Sequence, residues 1–290
     1  MPYKVKSFLW IVLAYSLAAL VAWGTGEYFK ELHPLWVIAL ADVAATLVIF
    51  IFSIFFRNAS FYDAYWSVAP IAIAGYYLLD ASADPRYFRA VLAFLLVLAW
   101  GLRLTWNWAR GWDGLEHEDW RYKDLRAKTG KWYPLVNFAG IHFFPTVMVY
   151  LGCLPLYVSM YKGVAPFSTM DIIAVFITTA GILIEATADS QLRRFRRTKP
   201  APEKILKSGI WSYSRHPNYF GEMTFWLGIF MLGLAADSSS WVMGIGVLVI
   251  VLMFIFISIP LIEKRMLARR PGYPAHRKKV SAVIPWKFNS

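Results

Sequence analysis

The sequence predicts an all-α fold, a polytopic transmembrane helix bundle of seven to eight spans, and three observations carry that expectation. Composition is the first. Of 290 residues, 58% are hydrophobic, 18% aromatic and only 17% charged, with a mean hydropathy of +0.47, whereas an average soluble domain is roughly 45 to 50% apolar and about 25% charged. That excludes a soluble globule, and 14 Trp, 16 Tyr and 21 Phe exclude a disordered chain. Apolar runs close to the ~20 residues that a bilayer core demands are the second observation. The third is charge: the net value is +12, and 22 of the 30 Lys and Arg fall in three segments, Arg110 to Lys131, Arg193 to Arg215 and Lys264 to Lys287.

Taken in order, the runs are Phe8 to Trp23, Leu35 to Phe56, Ala64 to Leu79, Ala90 to Trp108, Phe138 to Met160, Ile172 to Ala188, Tyr219 to Ala235 and Trp241 to Ile262. The first is long, has no clear small-residue cleavage site, and reads as a helix that stays and not as a cleaved signal. The runs from Ala64 and Tyr219 are the shortest, which leaves the count at seven to eight. The alternate connections, Glu27 to Pro34, Asp80 to Arg89, Lys162 to Met170 and Ala236 to Ser240, hold only Lys30, Arg86, Arg89 and Lys162. Basic loops stay on the inner side of a membrane, so the three basic segments and both termini are expected in the cytosol. No internal repeat and no segment large enough to bury its own core is evident, so residues 1–290 read as one integral membrane domain. It divides into N-terminal spans to 110, a cytosolic loop over 110–136 and a C-terminal half over 137–290.

The single cysteine, Cys153, excludes a disulfide framework and a cysteine-based zinc site, and no metal site is expected. Ionisable groups in membrane spans are costly unless paired or hydrated. Here Asp63, Arg103, His142, Glu185, Asp189 and Glu222 gather near the cytosolic ends, and only Asp42 lies toward the other face. Helical spacing puts Glu185, Asp189, Arg193 and Arg196 on one stripe that leaves the membrane. Arginines there can hold phosphate oxygens, and carboxylates can accept from amides or ribose hydroxyls; attraction to an anionic leaflet would equally explain the basic residues.

Ser214 to Glu222 reads SRHPNYFGE just before an apolar span, with Pro217 suited to the first helical position and Asn218 and Glu222 one turn apart. This run resembles the C-terminal motif of the membrane steroid 5α-reductase and sterol-reductase superfamily, in its bacterial branch of unknown function. Asp189, Arg196, Gly209, Asn218, Gly221 and Glu222 follow in the superfamily's order, as do Tyr273-Pro274 and Ile284-Pro285. The likeness covers about the last 110 residues. It implies NADPH as cofactor, held by Asp189, Arg196, Asn218 and Glu222, with Glu185 standing where the steroid enzymes have Asn. Arg193 and Tyr213 are expected in the same set. The steroid enzymes grip the substrate carbonyl with a Glu and a Tyr from earlier helices; no such pair is evident, and Trp100 falls at the Tyr position.

Glu118 to Tyr122 reads EDWRY, in a segment whose six basic and five acidic residues nearly cancel. It also looks like its counterpart in the bacterial branch, and contacts to the cofactor from Arg103, Asn107, Arg121 and Tyr122 are expected, with structural ion pairing as the alternative. Asp63, in NASFYDAYW, either caps the third helix or orients Tyr65 as the acid that polarises a substrate carbonyl. The resemblance implies hydride transfer to an activated C=C bond of a lipid-soluble substrate, such as a 3-oxo-4-ene steroid or related lipid, in a bacterial inner membrane. Membrane lipids are expected partners and nucleic acid is not. Two other readings stay open: a membrane methyltransferase using S-adenosylmethionine, whose families carry an Arg-His-Pro-x-Tyr-x-Gly run like Arg215 to Gly221, and a transporter or structural protein.

Overall fold

A computed structural model describes residues 3–80 and 87–286; Arg86 and Lys287, counted in the charge pattern, lie outside the described residues. Seven helices are long and apolar enough to cross a membrane: α1 (Tyr3–Tyr28), α2 (Pro34–Phe55), α4 (Tyr87–Gly111), α5 (Trp120–Lys162), α6 (Thr169–Arg197), α7 (Pro217–Ala236) and α8 (Ser238–Arg269). Between α2 and α4 stands the shorter α3 (Tyr65–Asp80, 16 residues), and α9 (Tyr273–Lys279) closes the chain. Among the described residues there is no strand, only an isolated bridge between Ser214 and Ser281. The protein is an integral membrane protein whose described residues hold seven long helices, and every expected run is helical apart from end residues such as Phe56 and Ala64.

Two starts and one irregular helix show how sequence sets the elements. Pro34 opens α2 at a position where a missing N–H costs nothing, and the His33 side chain accepts from Leu35 N. Ser168 and Asp171 form a capping box at α6. Within the cytosolic loop expected over 110–136, Trp120–Thr129 is helical, and Gly130 (φ 51°) interrupts that helix before the membrane span. Asp119 caps the helix by accepting from Arg121 N at 2.9 Å, and a short 3₁₀ turn over Gly130–Trp132 carries the chain past the glycine. Wider π turns follow at Asn137–Phe143 and Val158–Lys162.

Two buried ion pairs fix the helices that build the site. Arg89 Nε and Nη2 hold Asp171 Oδ1 and Oδ2 at 2.6 and 3.0 Å, tying the start of α4 to the start of α6. Arg103 meets Glu185 and Asp189 near the other ends, so α4 and α6 run parallel. Against α6, α7 packs antiparallel at unusually close range. A Cβ on Gly181 would collide with Phe225 N and Gly221 O, and one on Gly221 with the backbone of Glu185 and Gly181. Small residues at such crossings let backbones approach where lipid offers no hydrophobic drive. Trp100, Phe225 and Trp226 fill the core beside this crossing, Trp100 and Phe225 stacked 4.6 Å apart at 6°.

Candidate functional site

Arg103, Asn107, Glu185, Asp189, Arg193 and Glu222 come together where α4, α6 and α7 meet. Glu222 is deepest: its two carboxylate oxygens accept from the indoles of Trp100 (2.9 Å) and Trp226 (3.0 Å). Glu185 sits beside it because Gly221 has no Cβ to fill that space. Arg103 then lies 2.6 Å from Glu185 Oε2 and donates to Asp189 Oδ2 at 2.9 Å. The chain of contacts leaves the membrane through Asn107, which donates to Asp189 (3.1 Å) and accepts from Arg193 Nη1 (2.6 Å). Carboxylates inside and arginines outside follow from the stripe read in α6. Trp100 and Trp226 were not expected to hold Glu222; their spacing, one turn before Arg103 and one turn after Glu222, is the signal that could have found them.

Arg103, Asn218 and Arg196 have unused hydrogen-bonding capacity. Arg103 Nε is buried without a partner. Asn218, partly buried in the first turn of α7, and exposed Arg196 form no side-chain hydrogen bond among the described residues. Tyr213 is half exposed, and its carbonyl accepts from Trp286 N at 2.7 Å.

The EDWRY segment is a clasp. Glu118 Oε1 accepts from Ala59 N (2.9 Å) and Arg126 Nη2 (2.8 Å), and Arg121 Nε pairs with Asp119 at 2.8 Å. Tyr122 donates to Asp63 Oδ1 at 2.7 Å. Together they hold the turn between α2 and α3 onto the first turn of α5. The expectation that Asp63 orients Tyr65 is therefore corrected, and Asp63 does not cap α3 either; it ends the 3₁₀ turn over Ala59–Tyr62. Burial pushes its carboxyl up to about 6, and the hydrogen bond from Tyr122 offsets that only in part. Tyr219, on α7, lies within electrostatic reach of Arg121, Asp119 and Asp189, so the clasp and the charged network share one end of the bundle.

Tyr65 instead donates to Asp42 Oδ1 at 2.7 Å, while Asp42 Oδ2 is buried without a partner. Both residues line a cavity of about 770 Å³ among α1, α2 and α3, with walls that are mostly alanine and aromatic, including Tyr15, Ala18, Ala45 and Ala69. That volume lies within the ~300 to 1,000 Å³ range of small-molecule sites. Asp42 is the one ionisable group of the spans expected toward the other face. No local spacing links it to a residue 23 positions away; only the packing of α2 on α3 does. Two residues beyond Tyr65, Ser67 bonds Thr105, two residues beyond Arg103, at 2.9 Å. The acid–hydroxyl pair and the charged network are thus one helix contact apart. Among the described residues no group of His, Cys, Asp and Glu could hold a metal.

Fold and site define a polytopic helical membrane protein with a charged network at one end and an apolar cavity inside. The chain belongs to the family described as protein of unknown function DUF1295, which matches it over residues 49–280. It is similar to the uncharacterized protein C594.04c of Schizosaccharomyces pombe, 28% identical over 290 residues covering 89% of this chain and 82% of that protein. No solved structure matches it.

Proposed function

We propose that the protein is an NADPH-dependent membrane reductase acting on an activated C=C bond of a lipid-soluble substrate such as a 3-oxo-4-ene steroid or related lipid. The observation that carries this reading is Tyr65, held by Asp42 on the wall of an apolar cavity one helix contact away from the charged network. The juxtaposition also brings an Asp and a Tyr from two early helices together, similar in kind to the Glu and Tyr of the steroid reductases. It supports placing this family in that superfamily.

The residues fit the cofactor in kind. Arg193 and Arg196 suit phosphate oxygens, Asp189 suits ribose hydroxyls, and buried Arg103 Nε and unpartnered Asn218 offer further donors. When bound, NADPH supplies a hydride equivalent. The chain's own part is to bind the substrate in an apolar cavity, point a hydroxyl at its carbonyl and keep water out. The one Tyr65 proton is given to Asp42 in this structure; with Asp42 protonated the pair reverses, Asp42 donating to the phenol oxygen and Tyr65 to the carbonyl oxygen, where it stabilises the negative charge that develops. Glu185 and Glu222, anchored by Arg103 and two indoles, shape the inner end of the cofactor site. The basic end faces the cytosol in this reading, which puts the charged cofactor on the side where it is made, in a bacterial inner membrane.

Methylation with S-adenosylmethionine draws its support from the run Arg215 to Gly221. In this fold Arg215 and His216 both turn to Glu263, at 2.7 and 3.4 Å. That supports an anchoring role for these two residues of the run. The test is NADPH consumption by the detergent-solubilised protein across a panel of enone lipids. Tyr65→Phe should lower turnover about 10²- to 10³-fold and leave NADPH affinity unchanged. Turnover equal to wild type in Tyr65→Phe would remove Tyr65 from the reaction.

A further inference from the structure

A third feature lies apart from both the network and the cavity and shares no lining residue with either. At the basic end of α8 a crevice of about 430 Å³ is lined by the apolar Ile255, Ile259, Pro260 and Leu267 and by the charged Arg215, Glu263, Lys264 and Arg277. We propose that this crevice binds the headgroup of an anionic phospholipid, with the first part of an acyl chain along its apolar wall.

Charge is the first argument. Three cations face one carboxylate, and its Oε1 already has three donors. Glu263 Oε1 accepts from Arg215 Nε (2.7 Å), His216 Nε2 (3.4 Å) and Tyr273 OH (3.3 Å). Arg277 reaches Glu263 only through Nε at 3.3 Å, with about half of its side chain exposed. Exposed Lys264 has no partner among the described residues. A surplus of two positive charges is left over for a ligand.

Construction is the second argument. The Arg215 side chain is only 8% exposed, and its Nη1 donates to the carbonyls of Arg277 (2.9 Å) and Val280 (2.6 Å). It is a fixed wall, not a waving surface arginine. Position is the third. Glu263 and Lys264 fall in the last two turns of a membrane-spanning helix, where headgroups are expected, and Ile255, two turns earlier on the apolar side of Lys264, is exposed. A free phosphate would use the cationic wall and leave the apolar one idle. A zwitterionic headgroup would bring its own cation against Lys264 and Arg277. An anionic phospholipid alone satisfies both walls.

The test is native mass spectrometry of the full chain from neutral detergent, titrated with phosphatidylglycerol, phosphatidylcholine and glycerol 3-phosphate. Phosphatidylglycerol should bind in preference to phosphatidylcholine, and glycerol 3-phosphate should not displace it. Lys264→Gln with Arg277→Gln, both on exposed side chains, should weaken phosphatidylglycerol by about five-fold per cation removed. The pair Lys4→Gln with Lys6→Gln, on the exposed start of α1, should leave it unchanged. Equal losses in both double variants would reduce the effect to the general field of a basic surface. Displacement by glycerol 3-phosphate would make this a free-anion site, and equal binding of the two lipids would leave no headgroup site. Each of these three results overturns the proposal, whatever reaction the protein performs.

Discussion

Glu222 shows how a single side chain can be both anchor and liability. Each carboxylate oxygen accepts from one buried indole, Trp100 on α4 and Trp226 on its own helix. Glutamine has one acceptor for these two donors, so Glu222→Gln leaves an indole N–H facing an amide N–H in a dry interior. The expected cost is about 1 to 3 kcal/mol, visible as a lower midpoint for thermal unfolding in detergent; an unchanged midpoint would mean that the indoles find other partners. Asp63 behaves differently. Its folded value is raised to about 6 by burial, above the ordinary carboxyl range. A group shifted upward binds its proton more tightly when folded, so its penalty is absent below about pH 4, grows as pH rises toward 6 and is constant above that. Asp63→Asn removes the penalty and retains an acceptor for Tyr122. It should be more stable than wild type above pH 6, by on the order of 1 to 3 kcal/mol, with the advantage vanishing near pH 4. Unfolding profiles of the two proteins that stay parallel across this range would contradict the assignment.

The helix pair α6–α7 sets the geometry on which the candidate site depends. Gly181 and Gly221 face each other's backbones, and Thr178 occupies the space that a Cβ on Gly228 would need. Gly181→Val must push the helices apart and draw Glu185 away from Glu222. Overpacking of this kind costs about 1 to 3 kcal/mol, so a lower unfolding midpoint is expected, together with weaker cofactor binding; a variant as stable as wild type would show that the crossing is loose. Much at this scale was legible in the sequence. Every apolar run became a helix, because a bilayer leaves few alternatives for a satisfied backbone, and the acid–base stripe of α6 followed from helical spacing alone. The extension of α5 back to Trp120 was not legible, since the charges of that segment resemble a loop until their partners on the α2–α3 turn are known. Nor were the pairs Arg89–Asp171 and Tyr65–Asp42, whose members lie 82 and 23 residues apart. Periodicity places a residue on a face; which neighbour that face meets is decided by packing.

For the whole molecule, orientation and cofactor are the two claims that everything else serves. Cysteine introduced at exposed Ser208, in the connection before α7, or at exposed Ser239, at the start of α8, should label from opposite sides of the membrane, the former from the cytosol, and native Cys153 is buried and should stay silent. Labelling of both from one side would break the alternation of the helices and the inward placement of the charged network. Cofactor choice is the more direct test of function. Arg196 is exposed at the outer end of the stripe, so Arg196→Ala should fold normally and yet lose one charge-assisted contact, about 1.5 to 3 kcal/mol, or about ten- to a hundredfold in affinity. The decisive measurement is calorimetric titration of the purified, detergent-solubilised protein with NADPH and, separately, with S-adenosylmethionine. Saturable heat with NADPH, weakened in Arg196→Ala, and none with S-adenosylmethionine is the expected result. Heat with S-adenosylmethionine alone would contradict the reductase reading and every role assigned to Tyr65, Asp42 and the charged network.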